Sequence, residues 1–348
     1  MTPKTVIKLG IVTAIAVVAA AAGVANQMSG TQPARTSEPV FAGLEDSLDA
    51  VATISILTAK DETTVVRDGA LWTVKEKDGF PANRDEVRKA LIQLSQLQLV
   101  EAKTQKPDLY PRIEVEDIEQ EGAKSALVSL MDESGEAVAS LIVGKSKFDM
   151  AGGSGRGLYL RKPDEDRAWL AKGEFDPGRN ADEWLAKDIL DIGGKEIRRI
   201  TTNSSDGGVM VFARQDRESG FTLEGVDDGK KLKDDALSSL DGALSGLRLT
   251  DVAAADRKEM PEEKTVEAEI VTFGGLVLNL SLTDGEDGIW AAIEASAGAP
   301  AEADKTGQGK DPAEQAEEIN GRVSGWVFQV PDFKLRTLLK PRKDLIEG

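Results

Sequence analysis

Carboxylates are abundant in this sequence and are the groups on which a reaction could rest. The chain has 348 residues, 61 of them Asp or Glu, and it contains neither histidine nor cysteine. Lacking both, it has no Ser-His-Asp or Cys-His mechanism open to it, nor the commonest general base, nor the usual zinc ligands. Disulfides and a lipid-modified N-terminal cysteine are excluded as well. Two carboxyls about 5–10 Å apart across a cleft can hydrolyse a glycoside. Glu114-Val115-Glu116-Asp117 and Asp227-Asp228 offer such groups, but no neighbouring residues single them out. A carboxylate-based hydrolase is therefore the weaker alternative. Gly152-Gly153-Ser154-Gly155-Arg156-Gly157 could cradle a phosphate with backbone amides. It lacks the dinucleotide-fold spacing, no Lys-Ser/Thr follows, and a strand comes next, so it reads as a loop. Asp284-Gly285-Glu286-Asp287-Gly288 lacks the ligand register of a calcium loop and reads as a turn. No catalytic residue, cofactor or metal site is expected.

Recognition is the remaining chemistry. Trp184 and Trp326 lie close to polar segments, unlike Trp72, Trp169 and Trp290, whose settings suggest core packing. Lys334, Arg336, Lys340, Arg342 and Lys343 form a basic cluster at the C-terminus of an acidic chain. Together Trp184, Trp326, Lys334, Arg336, Lys340 and Arg342 make a candidate partner surface. The formal charge of −18 argues against nucleic acid as a partner. The sequence does not identify a small-molecule ligand.

The elements that must carry these residues repeat along the chain. Trp72-Thr73-Val74 matches Phe221-Thr222-Leu223, and Leu94, Leu97 and Leu99 match Leu244, Leu247 and Leu249. A hairpin over 126–143 matches one over 276–293, and Leu158 through Asp164 matches Trp326 through Asp332 after extra polar residues. This self-similarity predicts two tandem copies, at 51–192 and 193–348, with a polar insertion about 295–322 that the fold should not need. Each copy alternates hairpins with one amphipathic helix. The first helix follows Asn83, and the second runs over 233–247. Hairpins with so few helices imply an α+β fold of helix on antiparallel sheet. Trp72 and Phe221 are expected at equivalent buried positions on the second strand of each opening hairpin.

Residues 9–25 are apolar and follow Lys4 and Lys8. A run of about 17 residues is at the lower limit for a membrane-spanning helix, and basic residues ahead of it favour N-in orientation. Residues 1–28 are thus expected to be a membrane anchor, with 29–50 a linker and the bulk of the chain in the periplasm. A signal peptide cut before Asn26 is the alternative.

The order of several segments resembles a known family. Trp72 in a hairpin is followed by Phe80-Pro81-Ala82, a leucine-rich helix, Glu101-Ala102-Lys103-Thr104 and Leu109-Tyr110-Pro111. Leu141-Ile142-Val143-Gly144-Lys145, Leu158-Tyr159-Leu160-Arg161, Trp169 and Trp184-Leu185 complete it. This resembles the domain-of-unknown-function 4340 family over most of 50–192, and more weakly in the second copy. The resemblance implies an N-terminal membrane anchor and a large extracytoplasmic part. It also implies a setting beside ABC-type transport components related to gliding-motility auxiliary proteins, and it carries no catalytic residues. The expected function is a non-enzymatic, membrane-tethered accessory protein of an envelope ABC-type transport system. The alternative is a periplasmic binding module for an envelope lipid or glycan.

Overall fold

Alternating apolar and polar residues, punctuated by glycine-containing turns, make most of this chain antiparallel sheet with few helices. The structure, a computed structural model, describes residues 38–148, 155–205, 207–226, 231–233, 235–301 and 310–347. The apolar run at 9–25 lies outside the described residues. Among those described, no helix is long and apolar enough to cross a membrane. The chain divides into two units at Ala186/Lys187. The boundary precedes 192/193 because Asp188 and Leu190 pair with Arg248 and Leu247 of the second unit.

In the first unit the strands are β1 (Glu38–Pro39), β2 (Thr53–Leu57), β3 (Glu62–Asp68), β4 (Leu71–Val74), β5 (Phe80–Pro81), β6 (Gln98–Ala102), β7 (Ala126–Met131), β8 (Ala137–Lys147), β9 (Gly157–Arg161) and β10 (Ala168–Lys172). They form one sheet in the order β1-β6-β10-β9-β8-β7-β2-β3-β4-β5. Gly69, at φ 58°, makes the tight β3–β4 turn that the Asp-Gly pair predicts. Helices α1 (Leu44–Ser47) and α2 (Arg84–Ser95) accompany the sheet. Asn83 caps α2 by accepting from the amides of Asp85 at 2.9 Å and Glu86 at 3.3 Å. Ala90 and Leu94 of α2 face Ile54, Val128 and Leu130 of the sheet. Residues 38–50, expected to be linker, belong to this unit: Val40 and Leu44 are buried, and the Val40 amide bonds the Leu97 carbonyl at 2.9 Å.

The second unit holds β11 (Asp188–Leu190), β12 (Ile197–Ser204), β13 (Gly208–Ala213), β14 (Thr222–Leu223), β15 (Leu247–Arg248), β16 (Asp251–Ala254), β17 (Thr265–Thr272), β18 (Leu276–Gly285), β19 (Gly288–Ala297) and β20 (Trp326–Val330). Its large sheet runs β14-β13-β12-β17-β18-β19-β20-β16. The helices are α3 (Pro312–Val323), α4 (Asp332–Leu339) and α5 (Arg342–Leu345).

Eight strands follow one another in the same spatial order in both sheets. Reading β4-β3-β2-β7-β8-β9-β10-β6 in the first gives β14-β13-β12-β17-β18-β19-β20-β16 in the second. This order corrects the sequence matching: β7 and β8 stand where β17 and β18 do, whereas the matched hairpin at 276–293 is β18–β19. Likewise β9 stands where β19 does, not β20.

Three further expectations fail. Among the described residues of 233–247 there is no α-helix but a 3₁₀ turn, Ser238–Gly242. Asp235 (φ 59°) and Gly246 (φ 52°) break the helical path, though Leu240, Leu244 and Leu247 are buried. The described part of 295–322 is structured rather than a loose polar insertion. Asp311 caps α3 through the Ala313 amide, Ala316, Ile319 and Val323 are buried, and the Asn320 amide exchanges two 2.8 Å hydrogen bonds with the Ala295 backbone. Finally, Trp72 is only half-buried and Phe221 precedes its strand under the Arg214 guanidinium, 3.8 Å away. Val74 and Leu223 are the buried residues there.

Candidate functional site

Strand β17 reads Val266-Glu267-Ala268-Glu269-Ile270, and period-two alternation sends its carboxylates to the face opposite the core. Cross-strand pairing extends this face into one row: Asn203, Glu267, Ser281, Ala292 and Val327 are successive partners across β12, β17, β18, β19 and β20. The row lines a groove of about 690 Å³. Its character changes along its length. Glu267, exposed, accepts from the Ser281 hydroxyl at 2.8 Å, while Val327 is buried at the other end.

One wall is the β16–β17 connection, residues 255–264. It is held by the Ala255 amide on the Gly325 carbonyl (2.9 Å), the Thr265 hydroxyl on the Pro261 carbonyl (2.8 Å) and the Ser205 hydroxyl on the Glu263 carbonyl (3.0 Å). From this wall Lys258 lays its ammonium 3.7 Å from the Trp290 ring centroid and 3.5 Å from the Asp287 carboxylate. The Trp290 indole donates to Asp287 at 2.9 Å. That hydrogen bond, assisted by Lys258, holds Asp287 below the ordinary carboxylate range. A second hollow of about 480 Å³ lies beyond Lys258, lined by Asp287 and Trp290. The site offers acceptors, hydroxyls and a short apolar floor, an arrangement suited to holding a ligand. Among the described residues no group of three His, Cys, Asp or Glu could hold a metal ion.

The corresponding row of the first unit is Leu57, Leu127, Ile142, Arg161 and Ala168, across β2, β7, β8, β9 and β10. It is not open. The β6–β7 connection, residues 103–125, crosses it and buries Tyr110 and Val115 against Ile142 and Ala168. Arg161, 4% exposed, donates from Nε to the Val115 carbonyl at 3.1 Å, pairs with Asp117 and lies 4.7 Å from the Tyr110 ring centroid. Gly144 permits the approach, since a Cβ there would stand 2.6 Å from the Glu114 carbonyl oxygen.

The residues singled out from sequence fare differently. Trp184 is buried, its indole donating to the Gly178 carbonyl at 2.8 Å, so it is core rather than partner surface. Trp326 is half-buried on β20. The basic cluster is largely spent within the second unit. Lys334 donates to the carbonyls of Gly242 (2.9 Å) and Ser245 (2.5 Å), Arg336 pairs with Asp284 and Asp332, and Arg342 holds the carbonyls of Glu224 (3.0 Å) and Gly225. Lys340 is half-buried. These groups secure α4 and α5 and do not converge on the groove. Glu116 is buried and accepts from the Lys124 amide at 2.8 Å, Asp117 is taken by Arg161, and Asp227-Asp228 lies outside the described residues, as do residues 152–154. The groove residues were missed because alternating polar positions on a strand read as ordinary solvated face. Their one sequence signal is length: 255–264 is much shorter than 103–125, so it cannot cover the row.

No curated protein and no solved structure matches the chain. A family model described as a domain of unknown function (DUF4340) does, over residues 72–267, from β4 of the first unit into β17 of the second. That span is more than half of the sequence and includes the β6–β7 and β16–β17 connections that distinguish the two faces. This chain is a member of the domain-of-unknown-function 4340 family.

Proposed function

We propose that the chain is a non-enzymatic accessory protein of an envelope ABC-type transport system, tethered by residues 9–25 with its bulk in the periplasm. The observation that carries this is family membership; the transporter setting is what the resemblance implies for such members, an argument by association. The apolar run behind Lys4 and Lys8 supports the tether and its orientation. The lack of histidine and cysteine supports a role outside catalysis. The shared strand order supports a tandem duplication as the origin of the two units. Affinity purification of the full chain from cross-linked membranes tests the role: transporter membrane subunits are expected to co-purify, and their consistent absence removes it. The anchor is tested separately, since an anchored chain stays in the membrane through carbonate washing, and a soluble form starting at Asn26 contradicts it.

A second reading, a binding module for an envelope glycan, is favoured by the hydroxyl- and amide-bearing groove at Asn203, Ser204, Ser205 and Ser281. Equilibrium dialysis against cell-wall oligosaccharides tests it, with binding abolished by filling the groove.

A further inference from the structure

We propose that the groove over β17–β20 receives an extended segment of a partner polypeptide carrying a large apolar residue and, about three positions away, a lysine or arginine. This deepens the accessory-protein reading and rests on it for the existence of a protein partner.

The molecule itself displays the mode of occupation. In the first unit a polypeptide segment, 103–125, crosses the equivalent strands, and its Tyr110 and Val115 pack on Ile142 and Ala168, with Leu127 beside them. In the second unit the short 255–264 connection passes to one side and leaves that place as a groove. The apolar end is set by Ala292 and Val327 of the floor and Met260 of the wall, all lining the groove. An aliphatic or aromatic anchor fits there and supplies the affinity.

Charge fixes the other end. Glu262 and Glu267 line the groove, and Glu269 lies two residues farther along β17 on the same face. Among the described residues none of these three carboxylates has an ion pair. The groove's cation, Lys258, is engaged by Asp287 and Trp290. A basic partner residue is therefore steered to the β17 end, chiefly as specificity and on-rate. From β17 to β19 is two inter-strand spacings, about 10 Å, which an extended chain covers in about three residues.

A random peptide library displayed on phage, selected on the full chain in detergent, tests this. Enriched peptides should pair a large apolar residue with Lys or Arg at about that spacing. A synthetic copy should lose about tenfold or more in affinity to Ala292→Trp, which fills the floor, and a similar amount to Glu267→Lys, with weaker binding at high salt. Glu267 is exposed, so the charge reversal tests the groove even if the tryptophan disturbs folding. No enrichment, peptides without a basic residue, or affinity unchanged in both variants overturns the proposal. So does binding of cell-wall oligosaccharides that both variants abolish while peptides fail. Transporter co-purification that survives both variants removes the groove proposal and keeps the accessory role. Absence of co-purification removes the role itself.

Discussion

Two rows of five residues, on strands arranged in the same order, meet opposite fates. Leu127, Ile142, Arg161 and Ala168 of the first row lie beneath their own unit's connecting segment, while Asn203, Glu267, Ser281, Ala292 and Val327 border an open groove. The cause is local. In the first unit β8 breaks register between Val143 and Ser146, where Gly144 admits the carbonyls of Ile113 and Glu114. In the second unit β18 and β19 stay in regular register from Leu276–Ala297 to Gly285–Gly288, with no bulge to receive a crossing chain. A connection's length and one glycine thus decide whether a sheet face becomes core or surface, while the other face is sealed in both units.

Breaking that other seal should give the largest effect. Ile319 of α3 is 4% exposed on the core side of the second sheet. Ile319→Ala should cost about 3 kcal/mol, and deletion of 312–323 should prevent the second unit from folding. Urea unfolding with separate probes for the two units checks this. A loss below about 1 kcal/mol would mean that α3 does not serve the second unit as α2 serves the first.

The next effect sharpens the contrast between the rows. Arg161→Ala removes the guanidinium that ties Val115, Asp117 and Tyr110 over the first sheet. It should destabilise the first unit by about 2–4 kcal/mol, through lost charge-assisted hydrogen bonds and orphaned carbonyls. Residues 103–125 should become the preferred site of proteolytic nicking. Unchanged protease resistance would show that apolar contacts alone hold the cover.

What the sequence made legible follows the range of each signal. The β3–β4 turn at Asp68-Gly69, the Asn83 cap and the buried stripe Val87, Ala90 and Leu94 are local, and all are present. Leucine spacing at 233–247 mimicked a helix because Leu240 on the 3₁₀ turn and Leu244 and Leu247 beyond it are all buried, and only the breaks at Asp235 and Gly246 told otherwise. Polar composition hid α3, although Asp311-Pro312 is a helix start and Ala316, Ile319 and Val323 keep helical spacing. Matching one hairpin to the next strand along arose because every hairpin here carries the same period of two, so only pairing across the sheet distinguishes them. The groove was the least legible feature, since it depends on five strands distant in sequence.

A smaller effect concerns the partial cover that the second unit does possess. Lys258→Ala removes the ammonium over Trp290 and should cost about 1 kcal/mol. Trp290 is 4% exposed with Lys258 in place, so its fluorescence should shift to the red and become more accessible to acrylamide. The first unit should be unaffected. An unshifted spectrum would assign the shielding of Trp290 to the rest of the 255–264 connection.

The smallest effect is a matter of pH. Asp287 is held below the usual carboxylate range, first by the Trp290 indole hydrogen bond and further by the Lys258 charge. A carboxylate whose folded pKa is depressed stabilises the fold above its unfolded pKa of about 3.9, and that stabilisation disappears as pH falls through the folded value. The side chain is more than half exposed (55%). Screening therefore limits the contribution to under about 1 kcal/mol. Asp287→Asn should accordingly be less stable than the parent by a small, constant amount at neutral pH, with the gap closing below about pH 4. Trp290 emission followed against pH should show the parent losing the contact over that acid range while the variant stays flat. A gap that instead closes between about pH 6 and 8 would assign the linkage to a group other than this carboxylate, and Lys258 would then rest on Trp290 without help from Asp287.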